Sequence, residues 1–157
     1  MSIVVTMSDT IQIYNLLKDI FFLLDDGDRR LFSSYNLSVS RFYILWHLGN
    51  EPGISSRRLS DLMLHDKSNI TRLTQGLEAE GLIRRLPDES DGRALCLYLT
   101  ESGEMVRQRA LAAHLAFNEQ RFSYYSNDAR KTVYQQLYEL RQNLAEQLQA
   151  SCAEENL

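Results

Sequence analysis

Cysteine is nearly missing from the chain. Its 157 residues include only Cys96 and Cys152. Two thiols so far apart exclude the disulfide framework that holds small secreted domains together. Histidine is scarce as well, with His47, His65 and His114 scattered along the sequence. No C-x-x-C or H-x-x-x-H spacing occurs, so no zinc or other metal site is expected. Glycine is sparse, seven residues in all, and most of them fall where helices end or turns form. Little backbone is left for a catalytic loop. There is no phosphate-cradling glycine loop and no G-x-S-x-G nucleophile turn. Neither an enzyme nor a cofactor is expected. The longest apolar run, Ile20 to Leu24, falls far short of the roughly 20 residues that cross a bilayer. No basic start leads into an apolar stretch with a small-residue cleavage site, so a cytoplasmic location without a membrane partner is expected.

Net positive charge is also lacking. The formal net charge is −4, which at first argues against a nucleic-acid partner. Distribution matters more than the sum. Residues 55–100 balance seven Lys and Arg against seven Asp and Glu, whereas both flanking segments are acidic. The middle third is the least acidic part of the chain.

What is present is helical periodicity with one interruption. From Asp9 to about Leu31, the apolar residues Ile13, Leu16, Leu17, Ile20, Phe21 and Leu24 recur at helical spacing. Ser38 can cap a second helix through Phe42, Leu45 and Leu48. Gly49 to Gly53 is a breaker cluster that reads as a loop. Ser55 can cap a short helix with Leu59, Leu62 and Met63 inward, and Leu64-His65 is a turn. Asp66 can cap a third segment running to Glu80, with Ile70, Leu73 and Leu77 on one face. Gly81 suits the left-handed position that ends a helix. Two helices joined by so short a turn make a helix-turn-helix.

After Gly81 the period changes. Leu82 to Leu86 reads as a strand, Pro87 to Arg93 as a polar turn, and Ala94 to Leu99 as a second strand with Leu95, Leu97 and Leu99 on one side. A hairpin directly after a helix-turn-helix is a wing. Thr100 can cap a long proline-free helix to about residue 123. Ser126-Asn127-Asp128 is a break and a new cap. Val133, Leu137, Leu140, Leu144 and Leu148 then form an apolar stripe, and Ala150 to Leu157 reads as a frayed end. The predicted fold class is mainly α with a small β-hairpin wing, a winged helix-turn-helix plus long dimerisation helices.

The phrases Leu59-Ser60-Asp61-Leu62, Asp66 to Leu73, Leu77 to Arg85, Asp88 to Arg93 and Leu99 to Gly103 resemble, in order and spacing, the core of the MarR family of transcriptional regulators. One departure is Ser90, where many relatives carry a further arginine. The resemblance implies a winged helix-turn-helix DNA-binding domain at 37–100. It also implies an obligate homodimer built from helical regions 1–36 and 101–157, with one wing per subunit. It implies regulation of transcription, most commonly repression.

The chemistry of the segment agrees with double-stranded DNA as partner. On a helical wheel at about 100° per residue, Ser68, Thr71, Arg72 and Gln75 lie opposite the apolar face. Arg72 suits guanine and Gln75 suits adenine, each such pair being worth roughly 1–3 kcal/mol of discrimination. Lys67, Asn69 and the first-turn amides suit a phosphate. Arg57 and Arg58 are candidates for backbone contact, which positions but does not specify. A polar face is also what any solvated helix shows; the helix-turn-helix and wing around this one favour DNA. Arg93 sits at the wing's edge, where a minor groove's potential would hold it. Asp91 can orient Arg93 or brace Arg84 or Arg85, or simply cap its turn. A winged-helix protein-interaction module without DNA binding is the alternative, and it would require an apolar patch on the outer helix face.

The Val133 to Leu148 stripe, with Ile13 to Leu24, is the expected dimer interface. It would hold two reading helices about 34–36 Å apart over a palindromic operator. The resemblance further implies a ligand site for small aromatic acids. Tyr35, Tyr43, Trp46 and His47 fall in the segment that would line it, with Arg41 as a partner for a carboxylate. Aromatics are equally typical of plain core, which is the first reading for most of these. Cys96, in a wing strand with its side chain alternating with the leucines, and Cys152, near the end, are the two positions where a redox switch is possible.

Overall fold

The structure, a computed structural model, describes residues 8–64, 66–87 and 95–154, with side chains to residue 149. Asp91, Arg93, His65 and the Cys152 side chain lie outside the described residues. The elements are α1 (Asp9–Ser33), α2 (Val39–Asn50), β1 (Ile54–Ser55), α3 (Ser56–Met63), α4 (Lys67–Ala79), β2 (Ile83–Pro87), β3 (Leu95–Leu99), α5 (Glu101–Arg121) and α6 (Asn127–Glu154). The chain divides into two compact units, Met1–His114 and Leu115–Leu157. The fold is helical with a small antiparallel sheet, as the periodicity predicts.

In the first unit the end of α1 is anchored and its beginning is bare. Phe32 is fully buried and stacks on Phe42 of α2, with ring centroids 4.0 Å apart. Ile13, Leu16, Ile20 and Phe21 are exposed. Asn36 closes the α1–α2 turn at φ 55°, the left-handed region that asparagine tolerates better than most residues. Ser38 Oγ caps α2 by accepting from the Arg41 N–H at 3.3 Å. Phe42, Ile44, Leu45 and Leu48 then pack into a core shared with Leu59, Ile70, Leu77, Ile83 and Leu97.

The sheet has the order β1-β3-β2. Ile83 pairs with Leu99 and Pro87 with Leu95 across the hairpin, while β1 adds Ile54 opposite Leu97 and Ser55 opposite Cys96. The sequence gives no warning of β1, which is two residues long and exists only through its partner. Gly53 leads into it at φ +84°, where a Cβ would meet the Tyr98 hydroxyl at 2.8 Å. Leu95, Leu97 and Leu99 alternate along β3 as expected, but burial does not follow that alternation. Leu95 is 49% exposed, whereas Cys96 is buried beside Leu97. β1 pairs with β3 at Cys96 and Leu97 and not at Leu95. The Cys96 thiol, expected at a partly exposed position, is withdrawn from solvent.

The second unit is the end of α5, a turn at Phe122, and α6. Ser126 Oγ accepts from the Ala129 N–H at 3.3 Å and caps α6. Arg121 lies over the Phe117 ring at 4.0 Å, and Arg130 stands 3.5 Å from the Glu119 carboxylate. Along the predicted stripe Leu137, Leu144 and Leu148 are exposed, and Val133 and Leu140 are half-buried. The helix continues to Glu154, past the point where fraying was expected.

Candidate nucleic-acid interface

The two helices of the motif begin at the caps the sequence marks. Ser55 Oγ accepts from the Arg58 N–H at 3.1 Å, and Asp66 Oδ1 accepts from the Asn69 N–H at 2.8 Å. Asp66 also accepts from the Ser68 hydroxyl. Together these bonds, the Ser68 hydroxyl foremost, hold the Asp66 carboxyl below its ordinary pKa. The charge is therefore fixed at the positive end of the α4 dipole. Leu64 makes the turn in the left-handed conformation, φ 52°, with 90% of its surface exposed.

On α4 the residues Ile70, Thr74 and Leu77 are buried. Lys67, Ser68, Arg72 and Gln75 are exposed. Asn69 and Thr71 are half-buried. Asn69 Oδ1 accepts from Arg72 Nη2 at 3.0 Å, and the Thr71 hydroxyl donates to the Lys67 carbonyl at 2.8 Å. Asn69 thus steadies Arg72, and Thr71 keeps a methyl group and an oxygen lone pair to offer. Arg57 and Arg58 are exposed on α3, and Arg58 lies 3.8 Å from Glu51.

The hairpin arginines divide. Arg84 is exposed. Arg85 turns onto α4, where it meets Thr74 and Glu78. The end of α4 is tied from the other side, since Arg41 pairs with Glu80. The Arg41 guanidinium, offered above for a ligand carboxylate, is thereby committed within the chain. Glu78, Glu80 and Thr74 were missed by sequence reasoning. Only Thr74 left a signal, being a hydroxyl on the inward side of α4 between Ile70 and Leu77.

Beside the motif a cavity of about 610 Å³ is lined by Tyr43, Trp46 and His47 of α2, Phe21 and Asp25 of α1, and Met63 of α3. Tyr35 and Arg41 are not in its lining. Burial, with a smaller contribution from Arg58 and against the pull of Glu51, lowers the His47 pKa. Among the described residues no group of three His, Cys, Asp or Glu converges on a metal position. Nor is any helix of the described residues long and apolar enough to cross a membrane.

Comparison with known proteins bears on this geometry. The sequence profile of the MarR family matches residues 35–94. The chain is 25% identical over 121 residues to the HTH-type transcriptional regulator YybA of Bacillus subtilis, covering 77% of this chain and 81% of YybA. The crystal structure of the MarR family transcription regulator SP03579 superposes with a TM-score of 0.80 at 20% identity, covering 88% of this chain and 93% of that one. FabT of Streptococcus pneumoniae, solved in complex with DNA, gives a TM-score of 0.77 at 23% identity, covering 88% and 99%. YybA and SP03579 are named as transcriptional regulators. Residues 35–94 thus match the MarR family, and the winged fold around them is the one these structures share.

Proposed function

We propose that this protein is a sequence-specific transcriptional regulator, acting in the cytoplasm as a homodimeric repressor on a palindromic DNA operator. The observation that carries this reading is the split surface of α4. Ile70 and Leu77 are buried and Leu73 is half-buried, while Ser68, Arg72 and Gln75 stand in water on a helix thin enough for a major groove. Lys67, Arg57 and Arg58 add positive charge where phosphates would pass. Arg93, with Asp91 beside it, is proposed to extend contact into the minor groove. The DNA-bound FabT structure shares this fold and supports the reading. No apolar patch lies on the outer face of α4, which the protein-interaction alternative would need.

Two copies are proposed because α1 and α6 each leave large apolar side chains bare: Ile13, Leu16 and Ile20 on one, Leu137, Leu144 and Leu148 on the other. Exposed apolar surface of this kind marks an association site. The proposed dimerisation regions are 1–36 and 101–157, flanking the DNA-binding domain at 37–100. A small aromatic acid is proposed to enter the cavity at Tyr43, Trp46 and His47 and to favour a dimer that no longer matches the groove spacing.

Selection of bound duplexes from random DNA tests the reading, followed by gel shift of the winners. A palindromic consensus whose binding weakens steeply with salt is expected. Failure to enrich any sequence would refute it. Salicylate and related acids added to the bound complex test release.

A further inference from the structure

Arg84 and Arg85 are adjacent in β2 and carry the same charge, yet their situations are opposite. Successive strand residues point to opposite faces. Arg84 faces solvent; Arg85 keeps only 21% of its side chain accessible. Its Nη2 donates to Thr74 Oγ1 at 3.0 Å, and its Nε lies 2.9 Å from the Glu78 carboxylate as an ion pair without hydrogen-bond alignment. Thr74 and Glu78 are four residues apart on α4 and so share one flank of it. Thr74 is wholly buried, and its hydroxyl hydrogen is directed at the helix carbonyls, with Ile70 O at 2.9 Å and Thr71 O at 3.0 Å. What remains on that oxygen is a lone pair, and Arg85 uses it.

We propose that Arg85 is a positioning residue for DNA binding. By gripping Thr74 and Glu78 together it fixes the angle between α4 and the β2–β3 hairpin, so that helix and wing meet one duplex at once. The hairpin needs such a brace. Among the described residues, β1 supports β3 only at Cys96 and Leu97, and no third strand lies beside the Leu95–Pro87 pair. The grip falls on the flank of α4, leaving Ser68, Arg72 and Gln75 clear. A planar guanidinium can hydrogen-bond Thr74 while keeping its charge beside Glu78, whereas a lysine ammonium is a single point charge. The inference rests on the DNA-binding reading above.

Hydroxyl-radical footprinting on a duplex selected with the wild-type protein separates the outcomes. Wild type is expected to protect a central stretch, held by α4, and flanking stretches, held by the wing. Arg85→Gln and the near-isosteric Thr74→Val should each lose flanking protection, keep central protection, and weaken binding about tenfold. The double variant should be no worse than the worse single one, because both remove the same contact. Arg85→Lys should recover only part of the flanking protection. Glu78→Gln serves as a second variant should Arg85→Gln fold poorly, and melting curves report folding throughout. Uniform weakening over the whole site, with additive single effects, would overturn the positioning role and make Arg85 a direct phosphate contact. Wild-type protein that binds no duplex would instead refute the DNA-binding reading, and the positioning role with it.

Discussion

A glycine in the middle of a helix is costly unless something prevents a side chain there. At Gly76 a Cβ would meet nothing within 4 Å. Gly76→Ala should therefore stabilise α4 by about 1 kcal/mol, through backbone entropy alone. A melting curve with a higher midpoint is the expected result. His47 gives a pH-dependent case. Burial holds its folded pKa below the ordinary 6.5, so the unfolded chain binds more protons between the two values. The stability tied to neutral His47 is complete above the unfolded value and declines as pH falls toward the folded one. The midpoint of unfolding should drop as pH is lowered from about 7.5 to 5.5, and His47→Gln should flatten that slope. Individual residues were legible in the sequence where their role is local. Ser55, Asp66 and Gly81 sit where caps and helix ends need their chemistry. Roles set by distant partners were not legible. Nothing near Arg41 in sequence announces Glu80, and nothing near Arg85 says that it, rather than Arg84, turns inward.

At the scale of elements, the joint between α4, β2 and α5 does most to set the outer face of α4 in place. Gly81 ends α4 at φ +72°, and the Leu82 N–H returns to the Leu77 carbonyl at 2.9 Å. Thr100 then closes the joint. Its hydroxyl donates to the Gly81 carbonyl at 2.6 Å and accepts from the Gly103 N–H at 3.0 Å, while its own N–H donates to the Leu82 carbonyl at 3.1 Å. Gly103 presses against that same backbone, and a Cβ there would lie 1.8 Å from the Leu82 carbonyl oxygen. Gly103→Ala must shift α5 off the joint, with an expected loss of 2 kcal/mol or more, about what overpacking costs in a tight core. Urea denaturation checks it, and an unchanged midpoint would show that the joint gives way freely. The sequence located this joint through Thr100 and Gly81 but did not show its tightness, which depends on two segments nineteen residues apart. It also missed β1, because a two-residue strand has no periodicity of its own, and it expected Cys96 partly exposed where the thiol is buried.

For the whole molecule, the bare apolar faces of α1 and α6 point to association. Sedimentation equilibrium should give twice the chain mass at micromolar concentration, and Leu144→Glu, at a half-exposed position of the α6 stripe, should shift the protein toward monomer. A wild-type monomer would contradict the dimer. In the proposed reading, helix, hairpin and second copy would each supply part of the affinity: α4 for sequence, the hairpin for the adjoining groove, the partner for spacing. The claim on which the rest depends is that the outer face of α4 reads bases, and Arg72, exposed and steadied by Asn69, is its sharpest probe. The direct measurement compares wild type and Arg72→Ala on the selected duplex and on an unrelated one across a salt series. A loss of about tenfold or more is expected on the selected duplex, with little change on the other and a salt slope lowered by no more than about one unit. Equal losses on both duplexes, or no loss on either, would contradict it.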